Sequence, residues 1–140
     1  MILADTGPLV ALFDPSDGDH ARCVACLRTI RQPLRTTIPV LTEAFHLLRP
    51  ASRGARAIVQ FVAEGGLGIW FLDDKSASRA FALMQQYADA AMDLADASLV
   101  AAAEALGVRR IFTLDRNDFS MYRIKRGHRH IAFEIIDASR

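Results

Sequence analysis

Apolar and polar positions alternate along the chain in two distinct rhythms. Short apolar runs suggest buried strands, and longer stretches with an i, i+3, i+4, i+7 spacing suggest amphipathic helices. Met1 to Asp5 is a brief apolar run that ends in an acid, followed by Thr6-Gly7-Pro8 and a helix from Leu9. Thr6 is the expected N-cap there, since Pro is tolerated in a first helical turn. Asp14 to Asp19 reads as a loop by composition, and residues 19–31 as an amphipathic helix. A second strand is expected over Leu34 to Ile38. Pro39 then opens a helix carrying Val40, Leu41, Ala44, Phe45, Leu47 and Leu48. Pro50 to Gly54 interrupts the pattern. A short helix over 55–64 closes at Gly65-Gly66, and Leu67 to Leu72 is the third expected strand. Helices are expected over 75–90 and 93–106, the second capped by Gly107. Arg110 to Leu114 is a strand ending at Asp115, a loop holds Asn117 and Asp118, and a last strand spans Ile131 to Ile136.

Strands alternating with helices predict an α/β fold with a mainly parallel sheet and right-handed crossovers. The 140 residues suit one domain, 1–140, with no linker or repeat in sight. At 51% hydrophobic and 24% charged, the chain supports a packed core and is unlike a disordered one. No stretch reaches the roughly 18 apolar residues needed to span a bilayer. The opening Met1-Ile2-Leu3-Ala4-Asp5 lacks a basic region and meets an acid at once, unlike a signal peptide. A cytosolic protein is therefore expected. Cys23 and Cys26 form a Cys-x-x-Cys pair with no second pair to complete a zinc site. Two ordinary helix cysteines are the preferred reading over redox or metal chemistry.

The chemistry lies in the carboxylates. In open α/β sheets, ligands bind beyond the carboxyl ends of the strands. Asp5 and Asp115 both stand at such ends, each closing an apolar run that needs no acid for packing. Glu43 interrupts an otherwise apolar helix. Asp93 and Asp96, at i and i+3, share one side of a helix start. Gathered together, such acids would repel one another and call for a divalent cation, with oxygen ligands suiting Mg²⁺ or Mn²⁺. That chemistry leads to metal-assisted hydrolysis of a phosphodiester. Each acid also has a structural reading. Asp5, Asp93 and Asp115 or Asp118 are candidate helix caps, and Glu43 is a candidate solvated helix residue. By this reading Asp5, Glu43, Asp96 and Asp115 form the core of a site, while Asp93 and Asp118 are equally caps or ligands.

Four segments carry a family resemblance. Ile2-Leu3-Ala4-Asp5-Thr6-Gly7-Pro8-Leu9, Leu41-Thr42-Glu43, Asp93 to Val100 and Phe112 to Phe119 resemble, in order and spacing, the four motifs of PIN domains. The closest resemblance is to VapC-type toxins of bacterial toxin–antitoxin pairs. It implies a three-layer α/β/α domain around a mainly parallel sheet, and an Mg²⁺-dependent endoribonuclease inhibited by an antitoxin. It also implies a homodimer. On the same ground Asp5, Glu43, Asp96 and Asp115 hold the metal, Thr6 and Thr113 are supporting hydroxyls, and Asp93 and Asp118 tune or complete the metal shell.

The net charge of +1 makes no global case for nucleic acid, but residues 109–130 hold seven Lys and Arg against two Asp. Arg116, Arg123, Lys125 and Arg126 are the candidate RNA contacts, and Tyr122 a candidate stacking platform. A solvated basic loop is the plainer alternative. His128 and His130 lack a third ligand for a metal. Two other functions compete. A phosphatase with an Asp nucleophile needs a second acid two residues on, where this chain has Gly7. A non-catalytic RNA-binding module would keep the acids for structure.

Overall fold

The structure, a computed structural model, describes residues 1–136, so the last four residues of the expected 1–140 domain lie outside it. Five strands form one parallel sheet: β1 (Ile2–Ala4), β2 (Leu34–Thr37), β3 (Gly68–Trp70), β4 (Arg110–Phe112) and β7 (Glu134–Ile136). Their spatial order is β3-β2-β1-β4-β7. From β1 the chain grows outward in one direction to β2 and β3, and in the other to β4 and β7. The order therefore reverses between β1 and β4, which makes their carboxyl ends the place for a ligand. Leu3 pairs with Ile111 and Ala4 with Phe112, so the segments after both strands emerge side by side.

Helices α1 (Thr6–Phe13), α2 (His20–Thr29), α3 (Ile38–Leu48) and α4 (Arg53–Ala63) pack around α1. Helices α5 (Asp74–Gln86) and α6 (Leu94–Leu106) pack on each other. Right-handed crossovers put the two groups on opposite faces of the sheet. The core between them is aliphatic, with Leu3, Leu9, Ile58, Leu83, Leu99 and Ile111 almost wholly buried. Gly107 ends α6 in the left-handed region at φ 65°, and its N–H reaches the Ala103 carbonyl.

The α/β architecture is as expected, and several details differ. Asp5, not Thr6, caps α1. Helix α4 starts at Arg53 under a Ser52 cap, because Gly54 lets it approach α1; a Cβ there would lie 2.6 Å from the Phe13 carbonyl oxygen. The loop expected around Asn117 is a short helix, α7 (Arg116–Met121). The single late strand is two. β6 (Arg129–Ala132) pairs antiparallel with β5 (Arg123–Arg126), whereas β7 joins the main sheet beside β4. Buried Phe133 sits between them and turns in against Phe119, with ring centroids 5.4 Å apart.

Candidate active site

All six acids singled out in the sequence line one cleft of about 480 Å³ at the carboxyl ends of β1 and β4: Asp5, Glu43, Asp93, Asp96, Asp115 and Asp118. None of the described residues lining it is basic. Each acid reaches the cleft by a local device. Asp5 follows β1 and caps α1, its Oδ1 accepting from the Thr6 N–H at 2.8 Å. Its Oδ2 accepts from the Thr113 hydroxyl at 2.7 Å. Thr113 Oγ1 in turn accepts from the Asp115 N–H at 2.9 Å. One buried hydroxyl therefore links the acids at the ends of the two central strands.

Asp115 caps α7, accepting from the Asp118 N–H at 3.1 Å. Asp118 is thus the third residue of that helix and not its cap. Asp93 caps α6 in the same way, accepting from the Asp96 N–H at 2.8 Å, as the spacing of those acids had suggested. Glu43 comes from the middle of α3 and is half-buried.

Two hydroxyls outside the expected set hold α3 against α6. Thr37 caps α3 and lies 2.6 Å from Ser98 Oγ, which donates to the Ala95 carbonyl at 2.7 Å. Because that bond uses the serine proton, Thr37 is the donor to Ser98. Tyr122 is a further unexpected participant. The sequence makes it a candidate for base stacking, but it is fully buried, and its hydroxyl donates to Asp96 Oδ2 at 3.0 Å.

The electrostatics follow from burial. Asp5 is pushed up from 3.8 to about 6, chiefly by desolvation, with Glu43 and Asp115 adding repulsion against the two hydrogen bonds that lower it. Asp96 is pushed up to about 8, first by desolvation and then by Asp93 and Asp5. Asp118 is raised to about 6, first by a hydrogen bond shared with the Asp115 carboxyl and then by burial. The cleft gathers acids that hold their protons more tightly than usual, and none of the described residues lining it supplies a positive charge to offset them.

A hard divalent cation fits this donor set, because every acidic ligand is a carboxylate. The Thr6 hydroxyl, which lines the cleft, is buried and has no hydrogen-bond partner, so a hydrated ion would satisfy it. Among the described residues no three acidic, His or Cys side chains already form a closed ion-binding group. Mg²⁺ demands less than such a cage, since it keeps waters and takes one or two carboxylates with substrate phosphate.

The expected RNA contacts lie elsewhere. Arg116 is exposed at the start of α7. Lys125 and Arg126 are exposed on the β5–β6 hairpin. Arg123 instead points its guanidinium back at the carbonyls of Ser120, Met121 and Tyr122, at 2.7–3.2 Å. The hairpin is fastened to the body through backbone groups. The Arg123 N–H donates to Tyr87 Oη at 3.0 Å, and the Lys125 N–H to Glu104 Oε2 at 2.7 Å. His128 and His130 are exposed and belong to no metal-binding group among the described residues.

A family profile for the PIN domain matches residues 2–126. The chain belongs to the PIN-domain family. Ribonuclease VapC26 of Mycobacterium tuberculosis is 32% identical over 126 residues, a match that covers 87% of this PIN protein and 92% of VapC26. That places it with the VapC-type ribonucleases, toxins for which metal-dependent RNA cleavage is typical. Among solved structures, M. tuberculosis VapC20, a toxin that cleaves the sarcin–ricin loop, superposes with a TM-score of 0.76 at 18% identity, over 84% of this chain and 92% of VapC20. A toxin–antitoxin complex from Klebsiella pneumoniae gives 0.66 at 20% identity, over 86% and 91%. These two likenesses bear on the fold and match the five-stranded parallel sheet flanked by helices. Among the described residues no helix is long and apolar enough to cross a membrane.

Proposed function

We propose that the chain is a single PIN domain acting as an Mg²⁺- or Mn²⁺-dependent endoribonuclease toxin, with Asp5, Glu43, Asp96 and Asp115 as its metal-holding and catalytic acids. One observation carries the reading: six carboxylates from four parts of the chain share one cleft at the point where strand order reverses, and none of the described residues lining it is basic. When bound, the metal would activate water and neutralise charge on the phosphodiester. The protein's part is to hold the acids in place. Thr113 ties Asp5 to the Asp115 backbone, and the caps of α6 and α7 aim the first turns of both helices at the cleft. Asp93 serves as a cap that also adds charge beside Asp96. Asp118 completes the acidic rim, and the free Thr6 hydroxyl is available to bound water or phosphate oxygen.

RNA is the proposed substrate. Exposed Arg116, Lys125 and Arg126 would attract its backbone, with Arg123 supporting the hairpin from within. A cognate antitoxin is the proposed protein partner, in keeping with the toxin–antitoxin complex among the structural relatives. A homodimer in the cytosol completes the proposal. The deciding experiment incubates purified protein with RNA and Mg²⁺ or Mn²⁺, with and without chelator. Internal cleavage that needs the metal and disappears in Asp5→Asn and Asp96→Asn is expected. Cleavage surviving both substitutions would sink the metal site, and RNA retention without cleavage would favour a binding module.

A further inference from the structure

Tyr122 occupies a place where a purely apolar ring would fill the space equally well. Its ring packs edge-on against Tyr87 and Phe119, with centroids 5.1 and 5.2 Å away. Its neighbour in that cluster, Phe119, manages without a hydroxyl. The Tyr122 hydroxyl nonetheless crosses 26 residues of sequence to donate to Asp96 Oδ2. A phenol keeps its proton at neutral pH, so this hydroxyl is the donor.

The backbone gives the bond a second meaning. Tyr122 is the C-cap of α7, its N–H donating to the Asp118 carbonyl at 3.1 Å. Helix α7 follows its Asp115 cap, and α6 follows its Asp93 cap with Asp96 in its first turn. The phenol therefore spans the helix that carries Asp115 and Asp118 and the helix that carries Asp96. Asp5 has comparable support from Thr113 and the Thr6 N–H.

We propose that Tyr122 is a positioning residue for the acid cleft: its hydroxyl fixes one oxygen of Asp96, leaves the other for a divalent cation, and holds the α6 acids in register with those of α7. The inference rests on the metal site proposed above. Partners that orient a ligand in this way typically change metal affinity by 10–100-fold when removed.

Tyr122→Phe deletes the hydroxyl and keeps the ring. Tyr87→Phe is its control, because that hydroxyl lies in the same aromatic cluster but accepts from the Arg123 backbone and does not touch Asp96. Mn²⁺ binding to the full chain is measured by titration calorimetry for wild type and both variants, with circular dichroism to verify the fold. Wild-type protein that binds no Mn²⁺ overturns the metal site itself, and the positioning role with it, before any variant is compared. With a binding wild type, Tyr122→Phe is expected to weaken Mn²⁺ about tenfold or more, and Tyr87→Phe to stay within about twofold. The Mn²⁺ concentration for half-maximal RNA cleavage should shift in parallel, with KM for RNA at saturating Mn²⁺ unchanged. An unchanged Mn²⁺ affinity in Tyr122→Phe, or an equal loss in both variants, overturns the positioning role alone.

Discussion

The acid cleft has two unlike halves. On one side Asp5 is only 8% exposed and Asp96 half-buried, and side-chain hydroxyls from Thr113 and Tyr122 hold them. On the other side Asp93 and Asp115 are exposed, and each spends an oxygen on a helix N–H. Residue type is the same and the surroundings differ. A solvated cap stabilises a helix with its charge in water. A buried carboxylate without a cation raises the free energy of its own fold. The buried half is thus the half that most needs a ligand, while the exposed half offers the proposed metal site its Asp115 and shapes the opening through which a ligand arrives.

That division is broken most directly by removing charge from the buried half. Asp5→Asn or Asp96→Asn should lower metal-dependent RNA cleavage by more than about a hundredfold, beyond what loss of a supporting partner usually causes. A cleavage assay at saturating Mn²⁺ checks this, and residual activity within about tenfold of wild type would erase the contrast between the halves.

The same charge has a thermodynamic signature. Asp5 rises from 3.8 to about 6 on folding, so the unfolded chain gives up this proton first as pH increases. Stability is unaffected by Asp5 below about pH 4, falls between about pH 4 and 6, and stays reduced above that, by about 3 kcal/mol in total. The sign is opposite to that of an ordinary ion-paired aspartate. Asp96, raised to about 8, should extend the fall toward higher pH. Urea unfolding of metal-free protein across pH 4–8 should therefore show Asp5→Asn gaining on wild type, and Mn²⁺ should return much of the lost stability to wild type. Parallel pH curves for the two proteins would contradict the buried charge.

Much of this arrangement is legible in the sequence, for local reasons. Asp5 and Asp115 stand out because apolar runs lead straight into them, and Glu43 because its helix is otherwise apolar. Only the family resemblance points to Thr113; local pattern leaves the supports silent because their partners are remote. Thr113 meets Asp5 across 108 residues, Thr37 meets Ser98 across 61, and Tyr122 meets Asp96 across 26. No local pattern distinguishes a threonine that will face a carboxylate from one that will face water. Tyr122 misled for that reason, since a tyrosine within a basic stretch looks like a surface residue. The late strand misled differently. Alternation marks Ile131 to Ile136 as extended, but pairing partners, which divide it at Phe133, depend on the finished fold.

A smaller effect separates capping from ligation in the exposed half. Asp93→Ala should cost about 1 kcal/mol of stability through the lost cap, and Asp93→Ser should recover most of it, since serine caps without charge. Thermal unfolding of both variants, read beside their cleavage rates, sharpens the comparison. Serine restoring stability and rate together makes Asp93 a cap, and serine restoring stability alone moves it to the ligand side.

The smallest expected effect lies outside the cleft, on the hairpin. Lys125 and Arg126 are exposed and lie apart from the acids, and their strand is held through the Lys125 N–H, which substitution of either side chain leaves in place. Lys125→Gln with Arg126→Gln should leave the fold and the metal affinity unchanged. If the two cations touch phosphates, RNA binding should weaken, and the slope of log K against log salt should flatten by about 0.7 per lost contact for single-stranded RNA. Fluorescence anisotropy on a labelled RNA from about 50 to 200 mM salt would read that change. An unaltered slope would make the hairpin a solvated surface, and the attraction of RNA to this acidic cleft would then have to come from Arg116 and the bound metal.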